Sequence, residues 1–235
     1  MIKIAEGTHS TIFDGPAVLI KNRSITTVIK IYKTKSVAQR EFKFFKLCQG
    51  LKFIIQPIWC FKKSTKLDTN EIILPKLIPL SNINFQALSH KIQKKIIYSI
   101  IKGLQELHDR SIIHHDLKPD NILYDPINSS VKISDFSSSF QIAEFMKLTK
   151  YHKNLIANNT SPYHKAPFKL TGRSSLIDSD KFACTVTILQ LYGFSLLDIK
   201  SDIKKVIHKL RTKNRSLYYI CYSLIRKFNY SNLNN

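Results

Sequence analysis

The hydrophobic pattern of this chain changes its period once, and that switch limits the architectures open to it. Over residues 2–78 the apolar residues come in short β-branched runs, 11–13, 17–20, 26–32 and 71–74, parted by polar turns; this predicts an antiparallel, strand-rich first third. One helix interrupts it, over about 36–48, where Ser36 can cap the first turn and Val37, Phe44, Phe45 and Leu47 fall toward one side. After Leu80 the period becomes helical, and Ile92, Ile96, Ile97, Ile100, Leu104 and Leu107 form an apolar stripe opposite Lys91, Lys94, Lys95 and Lys102. Two short apolar runs follow, 121–124 and 131–134, joined by Asp125-Pro126-Ile127-Asn128, which reads as a hairpin turn. Residues 137–176 have weak periodicity and read as an ordered loop region, 178–228 are helical in pattern, and 229–235 form a polar, fraying end. With 235 residues, 43% of them hydrophobic, the chain can bury one large core or those of two modest lobes.

No run of 18 apolar residues occurs, and residues 1–6 lack the basic-then-apolar order of a signal peptide, so a soluble, intracellular protein (cytoplasmic or nuclear) is expected. Cys48, Cys60, Cys184 and Cys221 are scattered without a C-x-x-C pair, which suggests neither zinc nor a disulfide framework; they read as small buried apolar residues. The 37 Lys and Arg outnumber the 16 Asp and Glu, giving a formal charge of +21. Nucleic acid, an anionic membrane surface, and acidic or phosphorylated proteins would each satisfy that charge, as would a mere compositional drift toward Lys, Ile and Asn.

Chemistry is concentrated in His114-His115-Asp116-Leu117-Lys118-Pro119-Asp120-Asn121, which lies after the amphipathic helix and before the hairpin, with Asp135-Phe136-Ser137 beginning fourteen residues past Asn121. These segments resemble the H-R-D-L-K-P-x-N catalytic loop and the D-F-G metal-binding motif of eukaryotic serine/threonine protein kinases. The resemblance implies an α+β, bilobal fold with ATP and Mg²⁺ in the cleft. A small lobe (1–78) would hold a five-stranded sheet and one helix, and a mainly helical large lobe (79–235) would be shortened at its C-terminus. Phosphoryl transfer asks for positioning and charge neutralisation more than covalent help. By the resemblance, Asp116 accepts the proton of the substrate hydroxyl or orients that hydroxyl. Lys118 steadies the transferred group and favours serine and threonine acceptors, and Asn121 and Asp135 supply hard oxygen ligands to magnesium.

Residues 4–13, beginning Ile4-Ala5-Glu6-Gly7, are similar to the family's G-x-G-x-x-G-x-V loop, with Ala5 and Ser10 in place of the outer glycines and only Gly7 kept. Thr27-Val28-Ile29-Lys30, whose lysine lies twenty-three residues past Gly7, resembles the V-A-I-K strand, which implies that Lys30 pairs with the nucleotide phosphates and with Glu41. The Lys30 to Glu41 spacing is shorter than is usual in the family, and Glu41 as a plain surface charge is the other reading. Ile12, Val28 and Leu123 are implied to sandwich adenine, with Ile4 opening the loop above it. Leu74-Pro75-Lys76-Leu77 is the implied hinge, Leu74 being the gatekeeper and Leu77 a backbone donor.

Ser161-Pro162-Tyr163-His164-Lys165-Ala166-Pro167-Phe168 resembles the T-P-x-Y-x-A-P-E segment that seats a serine or threonine substrate, so Ser161 is implied to bridge Asp116 and Lys118. Fourteen residues past Ala166, Asp180-Lys181-Phe182-Ala183 matches the family's D-x-W-S helix start, whose aspartate braces the catalytic loop. There are departures. Phe168 replaces a glutamate whose arginine partner would lie on a helix past the end of this chain; losing both avoids an orphaned buried charge worth roughly 3–5 kcal/mol. Ser137 replaces the glycine of D-F-G. His115 stands where many regulated kinases have the arginine that grips a phosphorylated activation loop, so activity without that phosphorylation is expected.

No acid lies between Glu144 and Asp178, while Lys147, Lys150, Lys153, Lys165, Lys169 and Arg173 do, which points to acidic or phosphorylated protein substrates. After Asp202 the chain again lacks acids but carries Lys204, Lys205, Lys209, Arg211, Lys213, Arg215, Arg226 and Lys227 around Tyr218, Tyr219 and Tyr222. That stretch reads as solvated helix faces with half-buried tyrosines, a nucleic-acid-binding tail being the other reading. The alternative to an enzyme is a pseudokinase-like module that holds an acidic partner or nucleic acid on its basic surface. Ala5, Ser10 and Ser137 favour that module, and the complete set Lys30, Asp116, Asn121 and Asp135 opposes it. A related small-molecule kinase is opposed by Lys118 and by the segment through Pro167. Compact size and an A+T-flavoured composition fit a kinase encoded by a large DNA virus.

Overall fold

A computed structural model describes residues 1–20, 22–58, 70–158 and 160–226. Five strands precede the first helix: β1 (Lys3–Glu6), β2 (Ser10–Asp14), β3 (Val18–Ile20), β4 (Arg23–Ile25) and β5 (Thr27–Tyr32). Helix α1 (Lys35–Leu47) follows, and β6 (Glu71–Pro75) completes an antiparallel sheet of order β1-β2-β5-β6. Among the described residues the sheet thus has four strands and not the expected five, because β3 and β4 pair only with each other. The chain leaves the sheet at Gly15-Pro16. A Cβ on Gly15 would lie 2.2 Å from the Thr27 hydroxyl oxygen, that hydroxyl donates to the Pro16 carbonyl at 2.7 Å, and proline has no N–H with which to continue the ladder. The Ile58 amide still donates to the Ile73 carbonyl of β6 at 2.9 Å; Cys60 lies outside the described residues.

Helix α1 is capped by Thr34 and not by Ser36. Thr34 has the extended backbone of a cap and its hydroxyl accepts from the Val37 amide, whereas Ser36 already lies inside the first turn. Only two residues separate β5 from α1, which is the physical content of the short Lys30 to Glu41 spacing. The helix buries Ala38, Glu41, Phe42, Phe44 and Phe45.

The chain crosses into its helical part through Lys76-Leu77 and β7 (Ile78–Pro79). Next come α2 (His90–Asp109), β8 (Ile112–Ile113), the hairpin β9 (Ile122–Asp125) and β10 (Ser130–Ile133), then β11 (Phe140–Gln141). The hairpin matches the sequence reading, and β9 also pairs with β7. Ser89 caps α2, whose expected stripe is buried from Ile96 to Leu107; at Gly103 a Cβ would press on Phe53 and on Ile133 of the hairpin at 3.0 Å, so glycine suits the close approach of helix and hairpin there.

The expected loop region over 137–176 instead contains β11, α3 (Ile142–Met146), α4 (Lys150–Asn158) and the start of α5 (Arg173–Leu191). Helices of five and nine residues are too short to print a period in the sequence. Helix α5 is buried nearly all round from Phe182 to Leu189, the Thr185 and Thr187 hydroxyls bonding back to the helix's own carbonyls, and so runs through the core as a pillar. Helices α6 (Leu196–Ser201) and α8 (Arg215–Ile225) pack on it, and α7 (Ile203–Lys213) packs on those two. On α8 Tyr218 is half-buried as expected, but Tyr219 and Tyr222 are 54% and 50% exposed, because Leu217, Cys221 and Ile225 take the inward face. The expected frayed end, with Lys227 and residues 229–235, falls outside the described residues.

One apolar cluster runs through both parts, joining Phe44 and Phe45 of α1 to Phe136, Leu117, Ile122 and Leu107. Cys48, Cys184 and Cys221 are free and buried in it, and burial pushes the Cys48 thiol up to about 12, so they act as apolar filler. No helix among the described residues is long and apolar enough to cross a membrane.

Candidate active site

Lys30 sits in β5, held by ladders to β2 and β6, and alternation along the strand turns Lys30 and Tyr32 to the same face. The Lys30 ammonium donates to both Glu41 oxygens, at 2.8 and 3.0 Å, and to Asp135 Oδ1 at 3.1 Å. Glu41 is fully buried and Lys30 nearly so, which disposes of Glu41 as a surface charge. Burial alone would push the Lys30 pKa down, but the Glu41 and Asp135 carboxylates together hold it above the ordinary lysine range. Asp135 takes a left-handed backbone, φ +64°, which presents its carboxylate to Lys30, while the neighbouring Phe136 ring is driven into the core between Phe44, Phe45 and His114. Burial opposes ionisation of Asp135, yet Lys30 and the Ser137 amide lower its pKa to about 2. The Ser137 amide reaches Oδ1 at 3.4 Å without the glycine usual in this motif.

Across the cleft the catalytic-loop segment is fastened from below. Asp180, buried on α5, accepts from the His114 and His115 amides at 2.9 Å each and contacts His108 Nε2 at 3.0 Å. These bonds hold His115 at φ +68°, a conformation a non-glycine residue rarely adopts, and so set the chain direction into Asp116. Asp116 Oδ1 accepts from the Ser161 hydroxyl at 2.7 Å and the Ser161 amide at 3.1 Å, and its Oδ2 lies 2.8 Å from the Lys118 ammonium. Lys118 in turn donates to Ser161 Oγ at 3.0 Å, so the expected Asp116, Lys118 and Ser161 bridge is present. Burial works against ionisation of Asp116, but Lys118 and Ser161 outweigh it and lower its pKa. Asn121 donates its amide N–H to the Asp116 carbonyl at 2.7 Å and to Asp116 Oδ2 at 3.1 Å, which leaves the Asn121 carbonyl oxygen available as a ligand.

Gly7, Ser10, Lys30, Asp116, Lys118, Asn121, Asp135 and Ser161 all line one cleft of about 770 Å³, with Glu41 standing behind Lys30. Ile4, Ile12, Val28, Leu74, Leu77 and Leu123 do not line it. They belong to the neighbouring strands and linker, where Val28 pairs with Leu74 and Pro79 with Leu123. Gly7 closes the β1–β2 turn, its amide donating to the Ser10 carbonyl at 2.8 Å. Among the described residues no three His, Cys, Asp or Glu gather to hold a metal ion by themselves. The oxygens of Asn121 and Asp135, beside a charged lysine, nevertheless fit a magnesium ion that takes most of its ligands from phosphate and water.

Among the cleft-wall residues to which the sequence assigned no role are Tyr32, His164 and Gln190. The Tyr32 hydroxyl, His164 Nε2 and Gln190 Oε1 are buried and miss ideal hydrogen-bond geometry among the described residues, the tyrosine interacting with Glu41 and the imidazole with Gln190. Strand alternation from Lys30 would have found Tyr32, and His164 stands in the 161–168 segment at the place of the family's tyrosine; nothing in the sequence marks Gln190. Burial lowers the His164 pKa to about 4 from the 6.5 of a free imidazole. The unfolded chain therefore binds more protons, and stability falls as pH drops from 6.5 toward 4, by about 3 kcal/mol at the lower end. Melting temperatures across that range should slope less in His164→Gln than in the wild type; equal slopes would show that His164 is not the group responsible.

Residues 3–232 match the protein kinase domain family. Similar curated proteins include the mitogen-activated protein kinase kinase mkk2 of Aspergillus fumigatus, 38% identical over 43% of this chain and 18% of that protein. The cyclin-dependent kinase-like 1 protein of Caenorhabditis elegans is 25% identical over 89% of this chain and 59% of its own length. The serine/threonine-protein kinase ELM1 of Saccharomyces cerevisiae is 40% identical over 34% and 12%. The match thus spans about a fifth of the first of these relatives and under two thirds of the second.

Proposed function

Since the chain belongs to the protein kinase domain family, we propose that it transfers the γ-phosphoryl group of Mg-ATP to serine and threonine hydroxyls of protein substrates. The observation that carries this reading is the pairing, across one cleft, of Lys30 held between Glu41 and Asp135 with Asp116 held between Lys118 and Ser161. Lys30 binds nucleotide phosphates from the sheet side, Ile12, Val28 and Leu123 sandwich adenine, and at the linker Leu74 is the gatekeeper and Leu77 a backbone donor. Magnesium bound by Asn121 and Asp135 would neutralise phosphate charge. Because the Asp116 pKa is lowered, its carboxylate orients the incoming hydroxyl more than it abstracts a proton early. Lys118 neutralises charge on the group in transit. The Ser161 hydroxyl, spanning Asp116 and Lys118, sets the depth at which an aliphatic hydroxyl reaches the carboxylate. Use of ATP and three free buried cysteines suit the cell interior. The lysine-rich face beside Ser161 favours acidic or phosphorylated substrates.

Activity without phosphorylation of the activation segment is part of this reading. His115 Nε2 lies 2.8 Å from the Ile156 carbonyl, and burial lowers the His115 pKa, so a neutral ring bonds the segment's own backbone. Arg40 of α1 donates to the Ser139 carbonyl at 2.8 Å, and Lys43 pairs with Glu144. Helix and segment are therefore tied together by groups already in the chain. Phosphatase treatment is expected to leave transfer to casein within twofold of the untreated protein, and a loss of tenfold or more would refute this. Acid hydrolysis of the labelled product tests the acceptor class: phosphoserine and phosphothreonine are expected, and a product dominated by phosphotyrosine would overturn the assignment.

A further inference from the structure

Next to the transfer cleft lies a second groove, of about 950 Å³, and Pro162 and Tyr163 line both. A substrate whose hydroxyl reaches Asp116 beside Ser161 must therefore pass its flanking residues along the Pro162-Tyr163 edge. The floor of the groove is apolar, made by Phe168, Phe182, Ile199 and Ile203, and its sides carry Lys165, Lys169, Lys200 and Lys204 against a single acid, Asp202. That acid is already engaged as the cap of α7, accepting from the Lys205 amide at 2.9 Å. Lys200 stands over the Tyr163 ring, 5.3 Å from its centroid, and so at the mouth that the two spaces share. Beyond Lys165 and Lys169 the groove continues into a further hollow of about 600 Å³ that adds Lys150 and Lys153 and no acid.

Resting on the kinase reading above, we propose that this groove is a specificity site that takes an acidic flank of the protein substrate, carboxylate or phosphate side chains on one side of the acceptor. An apolar floor with cationic walls suits an extended peptide whose backbone and aliphatic carbons lie down while its anionic tips meet ammonium groups. With Lys169 and Lys200 on its sides the groove makes lysine- or arginine-rich flanks repulsive, so it selects against them as well as for acids. The unbroken run from cleft to groove favours a peptide threaded through the acceptor site over a nucleic acid lying across the surface.

The test compares serine peptides that carry aspartate, phosphoserine or alanine before or after the acceptor. The enzymes are wild type, Lys169→Gln/Lys200→Gln, and Lys91→Gln/Lys94→Gln, which removes the same charge from the exposed face of α2. Wild type is expected to favour acidic over alanine flanks roughly tenfold in kcat/KM, on one side of the acceptor only. The groove variant should lose most of that ratio and the α2 variant keep it. The aspartate and phosphoserine arms show which anion the groove prefers. Equal kcat/KM for acidic and alanine peptides in wild type, or a preference that survives in the groove variant, overturns the groove and leaves the kinase reading standing. Should wild type phosphorylate no peptide, the kinase reading fails instead, and fluorescence anisotropy of the labelled phosphoserine peptide decides the groove: weaker binding by the groove variant alone upholds it, and equal binding by all three proteins overturns it. Tighter binding of a single-stranded oligonucleotide than of that peptide, lost in the same variant, overturns it in favour of nucleic acid.

Discussion

Asp116→Asn is expected to slow phosphoryl transfer about a thousandfold while leaving the fold and ATP binding intact, within the 10²- to 10⁴-fold range of a positioned acid or base. The substitution keeps the size of the side chain and can keep an oxygen on the Ser161 hydroxyl and amide, which now meet Oδ1 at 2.7 and 3.1 Å. It then sets an amide NH₂ where Oδ2 faces Lys118 at 2.8 Å and Asn121 at 3.1 Å, replacing one acceptor by a donor among donors. The hydroxyl loses its orienting carboxylate and Lys118 loses its tether. Lys30 and Asp135 are untouched, so nucleotide binding measured by titration should change less than threefold. A variant that retained a tenth of wild-type transfer would show that Asp116 is not at the reacting centre.

Lys30→Met should cost both stability and transfer. It removes the ammonium that bridges a fully buried glutamate and Asp135, leaving two carboxylates with only neutral donors beside them among the described residues. Breaking a buried pair from one side costs roughly 3–5 kcal/mol, which for a chain of this size lowers the melting temperature by about 10 °C. Transfer should fall at least a hundredfold through loss of a charge on the phosphates. Adding Glu41→Leu to Lys30→Met removes the orphaned charge from the core. Melting should then recover by several degrees while transfer stays low, a split that a purely structural role for Lys30 cannot produce. No recovery in the double variant would mean that Glu41 is protonated or solvated and that the pair is not the buried ion pair described above.

The residues of the catalytic loop were legible in the sequence because each works beside its neighbours in the chain. Asp116, Lys118 and Asn121 lie within six residues, and a 3₁₀ turn at Pro119–Asn121 brings the Asn121 amide back onto the Asp116 carbonyl. Glu41 could be paired with Lys30 because strand and helix follow each other with two residues between them. Other features rest on competition between neighbours that a pattern does not weigh. Thr34 and Ser36 are both good caps, and backbone geometry chose the first. Among the described residues the run at 17–20 pairs with β4 and not with the sheet, the chain turning away at Gly15, where a side chain would collide with Thr27. Over 137–176 the short helices are held by tertiary bonds, such as that from His115 to Ile156, and not by an amphipathic repeat. His164 and Gln190 lie 26 residues apart and meet the cleft only because α5 runs back under the substrate segment.

The measurement that bears most directly on the whole account is transfer of label from γ-labelled ATP to casein by the purified protein, with magnesium and with magnesium chelated, beside Asp135→Ala. Transfer is expected to require magnesium and to be lost in Asp135→Ala, although that variant still folds. No transfer by the wild type, together with no stabilisation by Mg-ATP in a melting experiment, would contradict it and leave the Lys30 and Asp116 arrangement as the scaffold of a binding protein.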